Sequence, residues 1–195
     1  TTDGDGAILE YGGGSVGYAF TAGLENFRPK VQILSGTNVL ATAGGVGANG
    51  SIQQLPTNEW SHVAYVWSPN RNTLEIYVNG VLLIAQQTLA APVFTDGAAV
   101  FKRGLVAGYL DELRVWSIDR TWDEVDYWSR RLVPAPSGYV GTPTYGIPLR
   151  LYYRFDEGTN NIIDYAHLTD QDYLITNAAP GELFPRPGVR RDHEL

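Results

Sequence analysis

The chain of 195 residues carries 14 basic and 21 acidic side chains, a net charge of −7, so phosphate backbones and anionic lipid are on average repelled, which argues against nucleic acid as a partner. It has no cysteine, which removes disulfides, thiolate metal sites and cysteine nucleophiles together. Aromatic residues make up 12% of the chain and glycines number 22, a bias toward many short strands and turns in one β domain, and no apolar run approaches the roughly 20 residues of a membrane-inserted helix.

The chain does not begin with methionine and contains none, and its start lacks the basic-then-apolar pattern of a secretory leader. We therefore expect a processed or excised part of something longer. Secreted animal modules of this size often carry a disulfide, so the lack of cysteine leans toward a bacterial, archaeal or viral surface protein.

In chain order, residues 7–11 read as a short strand that stops at Gly12-Gly13-Gly14, a run too flexible to extend it. Residues 16–20, 30–34 and 39–43 read as successive strands, residues 44–50 as a loop, and residues 52–58, which contain Pro56, as an edge piece or connection. Two runs then form a hairpin: Trp60-Ser61-His62-Val63-Ala64-Tyr65-Val66-Trp67 and Thr73-Leu74-Glu75-Ile76-Tyr77-Val78-Asn79-Gly80, joined by the turn-rich residues 68–72. The Asn79-Gly80 dipeptide signals a second tight turn into a strand over residues 81–87.

Residues 106–116 read as a long strand whose alternation puts Asp111 on one face with Leu113 and Val115, and Glu112 and Arg114 on the other with Leu110 and Trp116. Glu112 and Arg114 are expected to form an outer-face polar pair, joined by Arg150 or Arg154 if the strands are neighbours. Thr121 can N-cap a short helix with Glu124 at the capping-box position, running to about Arg131. A Pro/Gly-rich stretch at 134–148 reads as a linker. Beyond it Leu149, Leu151, Tyr153 and Phe155 alternate with Arg150, Tyr152, Arg154 and Asp156 as a half-buried strand. Residues 172–177 read as a further strand that pairs with it, and residues 178–195 as an irregular tail.

Three blocks carry a resemblance. The hairpin is the first, Gly108-Tyr109-Leu110-Asp111-Glu112-Leu113-Arg114-Val115-Trp116 the second, and Leu151-Tyr152-Tyr153-Arg154-Phe155-Asp156-Glu157-Gly158-Thr159 with Asp164 the third. Together they resemble the laminin G-like domains of the concanavalin A-like lectin/glucanase superfamily. The resemblance implies an all-β fold, an antiparallel jelly-roll β-sandwich with one short helix. The order of blocks departs from the family: a strand that normally opens the module follows the one that normally ends it. Three arrangements account for this, namely a crop from a tandem array, a permuted unit in which residues 149–177 fold back, and a strand donated to a neighbouring identical subunit. The fold-back is preferred. It gives a body at 1–133, a linker at 134–148, a completing segment at 149–177 and a tail at 178–195.

Retaining glucanases need two carboxylates about 5 Å apart, which alternation supplies at i and i+4 on a strand. Asp111-Glu112 and Asp156-Glu157 are adjacent pairs that point to opposite faces, so neither pair can act as acid and nucleophile. His62, His167 and His193 offer no Ser/His/Asp set, and no catalytic residue is assigned. Flat amphipathic rings suit sugar faces, which makes Tyr11, Tyr18, Tyr109 and Trp116 the candidate ligand-binding residues, with Tyr139 and Tyr145 on the linker. Asp3, Asp5 and Asp111 are the candidate metal ligands, with calcium the ion that such modules often bind at a loop rim, and Asp164, Asp170 and Asp172 form a looser acidic cluster. The expected role is that of a non-catalytic adhesion or recognition module for glycan or protein at an extracellular, cell or virion surface. A structural subunit of a filament, fibre or shell, joined through residues 149–177, is the alternative, and a glycoside hydrolase the third.

Overall fold

A computed structural model describes residues 6–12, 18–46, 52–88, 99–101, 108–116, 118–131 and 149–155. They fall into two compact units, one built from residues within 1–107 and 119–129, the other from residues within 108–118 and 130–195.

Period-2 alternation builds the first unit. In β3 (Arg28–Ser35), Pro29, Val31 and Ile33 are buried while Lys30, Gln32 and Leu34 are only partly so, as a strand with one face on a core requires. It lies between β2 (Tyr18–Glu25) and β4 (Asn38–Gly44), and β2 in turn pairs with β1 (Gly6–Gly12) and β1 with β8 (Ala99–Phe101), every pairing antiparallel. The resulting sheet has the order β4-β3-β2-β1-β8. On its outer face the register pair Gln32 and Thr42 is joined by a side-chain hydrogen bond of 3.1 Å.

A second antiparallel sheet has the order β5-β6-β7, from β5 (Val63–Ser68), β6 (Thr73–Val78) and β7 (Val81–Gln87). Asn79 and Gly80 make the β6–β7 turn with φ of 51° and 82°, the left-handed pair that a two-residue hairpin demands. Asn79 also ties in the chain ahead of β5: its side-chain oxygen accepts the His62 N–H at 2.9 Å and its own N–H donates to the His62 carbonyl at 2.8 Å. The β5 ladder therefore begins at Val63 and not at Trp60, with His62 held by this turn.

β6 is buried on both faces. Leu74 and Ile76 join Ala22, Val31, Ile33, Ala43 and Ile52 in the core between the two sheets, each leucine, isoleucine and valine contributing about 1.5–3 kcal/mol on burial. Tyr77, on the opposite face, packs with Val66 against Val125 of α1 (Trp122–Ser129). The expected capping box forms at its start: the Thr121 N–H donates to Glu124 at 2.8 Å and the Glu124 N–H to the Thr121 hydroxyl at 3.4 Å.

In the second unit β9 (Leu113–Trp116) pairs antiparallel with β10 (Leu149–Tyr153), with a bulge between Leu149 and Leu151. Two sequence expectations change here. The expected strand over residues 106–116 begins only at Leu113, because Glu112 sits at φ 53° with its N–H donating to the Asp111 carboxylate at 2.9 Å. The left-handed residue breaks the alternation, so Asp111 does not share a strand face with Leu113 and Val115. Tyr152, expected on a polar face, is buried, and its hydroxyl donates to Glu112 at 2.7 Å. The bulge at Leu149–Leu151 is where the simple alternation of that strand is lost. The linker at 134–148, residues 156–177 and the tail lie outside the described residues.

Candidate functional site

Several polar clusters are structural. Glu75 of β6, with a side chain 5% exposed, accepts hydrogen bonds from Arg71, from the Thr73 hydroxyl at 2.7 Å and from the Tyr77 hydroxyl at 2.7 Å. Burial alone would raise its carboxyl, but the hydrogen bonds from Arg71, Tyr77 and Thr73, with the charge of Arg71, outweigh that and hold it below the usual carboxylate range. Beside it the Ser68 hydroxyl donates to Asp119 at 2.7 Å. In the second unit Glu112 is gripped by Arg114 at 2.6 Å and Tyr152 at 2.7 Å, with Arg154 at 3.9 Å. The expected pairing with Arg114 and Arg154 is present, and the Arg114 side chain is largely buried in it, not laid along an outer face.

On the surface of the first unit, Arg28 and the strap of residues 52–57 border a shallow, open hollow of about 580 Å³. It is built at the β2–β3 turn. Asn26 and Phe27 occupy that turn with φ of 49° and 59°. A two-residue hairpin loop of this kind favours glycine at its second position, and a bulky phenylalanine there is strained. The strap holds the strained turn in place: the Leu55 N–H donates to the Phe27 carbonyl at 2.9 Å, and the Gln54 amide donates to the Asn26 carbonyl at 3.1 Å and to the Asn26 side-chain oxygen at 3.3 Å. Ile52 anchors one end of the strap in the core between the sheets. Backbone strain maintained by surrounding bonds is a device of binding sites.

Charge is partitioned across the same turn. Glu25, the register partner of Arg28, accepts from Lys30 at 2.7 Å and from the Val46 N–H at 2.5 Å. Arg28 donates only to the Asn26 carbonyl, at 3.2 Å, and faces no carboxylate within ion-pair distance among the described residues.

The residues proposed from sequence are divided between the two units. Tyr11 lies in β1 opposite Phe20 of β2 and Ala99 of β8. Tyr18 opens β2 and packs against the core between the sheets. Tyr109, in the second unit, is 64% exposed ahead of β9, and Trp116 ends β9 opposite Leu149. Of the proposed metal ligands, Asp111 bonds the Glu112 N–H, whereas Asp3 and Asp5 lie outside the described residues. So do Tyr139, Tyr145, Asp164, Asp170, Asp172, His167 and His193. Among the described residues no group of three His, Cys, Asp or Glu side chains is placed to hold a metal ion. The sequence reading did not single out Arg28; the signal available was a two-residue gap between Glu25 and Arg28 flanked by alternating strands, which marks a hairpin loop but not the partner each charge chooses.

Residues 2–126 match the laminin G-type family described as the concanavalin A-like lectin/glucanases superfamily. The chain belongs to that superfamily. As a laminin G-like jelly-roll sandwich of antiparallel strands with one short helix, it shares its fold with a crystal structure from Bacteroides ovatus described as a candidate carbohydrate binding protein, at 20% identity and a TM-score of 0.53 over 84% of this chain. The laminin G-like chain spans 45% of that protein's length. An S-layer domain-containing protein from Clostridium thermocellum matches at 20% identity over 66% of this chain and 64% of its own, with a TM-score of 0.29, too low to bear on the fold. No curated protein matches the sequence. Among the described residues no helix is long and apolar enough to cross a membrane.

Proposed function

We propose that this laminin G-like chain is a non-catalytic recognition module that binds carbohydrate, carried by a larger protein at a cell or virion surface. The observation that carries the reading is the open hollow at the Asn26-Phe27 turn, where a strained loop is held by a hydrogen-bonded strap and bordered by Arg28, Gln53, Gln54 and Thr57 beside Ile52, Leu55 and Pro56. Sites for small ligands are concavities with a few fixed polar groups. The description of the Bacteroides ovatus protein as a candidate carbohydrate binder supports the same assignment.

The superfamily also includes glucanases, and two enclosed carboxylates support the non-catalytic reading. Glu75 and Glu112 each accept hydrogen bonds from an arginine and a tyrosine. A retaining nucleophile needs an open oxygen facing the substrate, with a second carboxyl about 5 Å away; these two groups belong to internal networks. In this reading β10 is used within the chain, where it pairs with β9, and is not donated to a neighbour. A glycan array probed with the full chain, run beside a reducing-sugar assay on the glycans that bind, tests the reading. Binding without cleavage is expected, and absence of binding or release of new reducing ends would sink it.

A further inference from the structure

We infer that the hollow at the β2–β3 turn takes the carboxylate of an acidic sugar residue, a uronic or sialic acid type of unit; this rests on the carbohydrate-binding reading and specifies its ligand class. Glu25 would be the natural counterion of Arg28 across the hairpin, yet it is engaged by Lys30 and the Val46 N–H. Among the described residues the Arg28 guanidinium makes one hydrogen bond, to the Asn26 carbonyl, while a guanidinium has five donors in a planar fork. That fork borders the hollow with no carboxylate of its own among the described residues, and a fork of this shape matches a carboxylate through two parallel hydrogen bonds.

The other walls suit the rest of a sugar. Gln53 and Thr57 border the same hollow and are exposed, which leaves an amide and a hydroxyl to meet ring hydroxyls. The net charge of −7 repels polyanions on average, but screening confines that field to about 8 Å at physiological salt. One arginine in direct contact therefore selects a ligand with an isolated single charge over a densely charged one, which favours a carboxylate over a sulfated or phosphorylated chain.

The test titrates the full chain against the methyl glycosides of galacturonate, glucuronate, mannuronate and sialic acid, each beside its methyl ester, together with neutral and sulfated oligosaccharides. Esterification removes the charge and keeps the sugar. At least one acid form is expected to bind about tenfold or more tightly than its ester, the effect of a charge-assisted hydrogen-bonded pair. Arg28→Gln is expected to lower affinity for the acid to that for the ester, with thermal unfolding unchanged, and Arg28→Lys to keep only part of the preference. Gln53→Ala, outside the turn's own hydrogen bonds, is expected to weaken acid and ester alike and serves if the Arg28 variants unfold. Equal affinity for acid and ester, a preference for sulfated over carboxylated sugars, or unchanged binding by Arg28→Gln overturns the inference. If neutral oligosaccharides bind in any of those cases, the carbohydrate-binding reading stands; if no sugar binds, both fall.

Discussion

Arg71 holds Glu75 through two parallel hydrogen bonds, Nε to Oε1 at 2.9 Å and Nη2 to Oε2 at 3.1 Å. The arginine lies in the β5–β6 turn and is 43% exposed on its side chain, whereas the glutamate is 5% exposed. The hairpin turn is thereby fastened to its own strand, on the β6 face that carries Tyr77 against Val125.

Glu75→Gln is expected to destabilise the first unit by about 2 kcal/mol at neutral pH, less than the roughly 3–5 kcal/mol for breaking a fully buried pair, because Arg71 keeps access to water. The pH dependence has a definite sign. The folded carboxyl titrates below its unfolded value, so its contribution is complete above about pH 4.3 and is lost as pH falls through the folded value. Urea midpoints for wild type and Glu75→Gln should therefore converge below about pH 4. A constant difference down to acid pH would show that the charge is not what stabilises the turn.

Removing the Tyr152 hydroxyl tests the network of the second unit. Tyr152→Phe leaves Glu112 with one donor fewer, at an expected cost of about 1–2 kcal/mol. Burial first, and then the Glu112 carboxylate, raises the titration of that hydroxyl, so it remains a donor across the accessible pH range. Amide exchange in β9 and β10 should accelerate in the variant while exchange in β3 stays unchanged. Unaltered protection at Arg114 and Tyr152 would mean that the hydroxyl does not hold this pair of strands.

Two glycines separate conformational cost from steric cost. Gly44 has φ 78° and an added Cβ would run into the Pro29 carbonyl, whereas Gly36 has φ 59° with open space around it. Gly36→Ala is expected to cost about 1 kcal/mol, for the left-handed backbone alone. Gly44→Ala should cost about 3 kcal/mol or more, since the clash with backbone adds to it. Equal midpoints in urea for the two variants would contradict the packing described between β4 and β3.

Local signals made much of the architecture readable. Asn79-Gly80 announced its hairpin because few other dipeptides tolerate two left-handed residues, and Thr121 with Glu124 announced the helix because the capping bonds are local in sequence. What the sequence concealed depends on single backbone departures or on a choice of partner. Glu112 breaks its strand by adopting φ 53° without being glycine or asparagine. Tyr152 is buried in a strand whose alternation is interrupted by a bulge, so it no longer obeys the pattern that places it outside. Arg28 became a site residue only because Glu25 turned to Lys30, a choice between two cations that spacing cannot decide. The aromatic residues chosen from sequence were selected for chemistry alone, and Tyr18 shows why this is insufficient: the same ring serves equally well as core.

The most direct measurement is a calorimetric titration of the full chain against oligosaccharides, with reducing ends counted before and after incubation. The account predicts saturable binding of at least one oligosaccharide and no increase in reducing ends; binding of none, or cleavage of the one that binds, would contradict it.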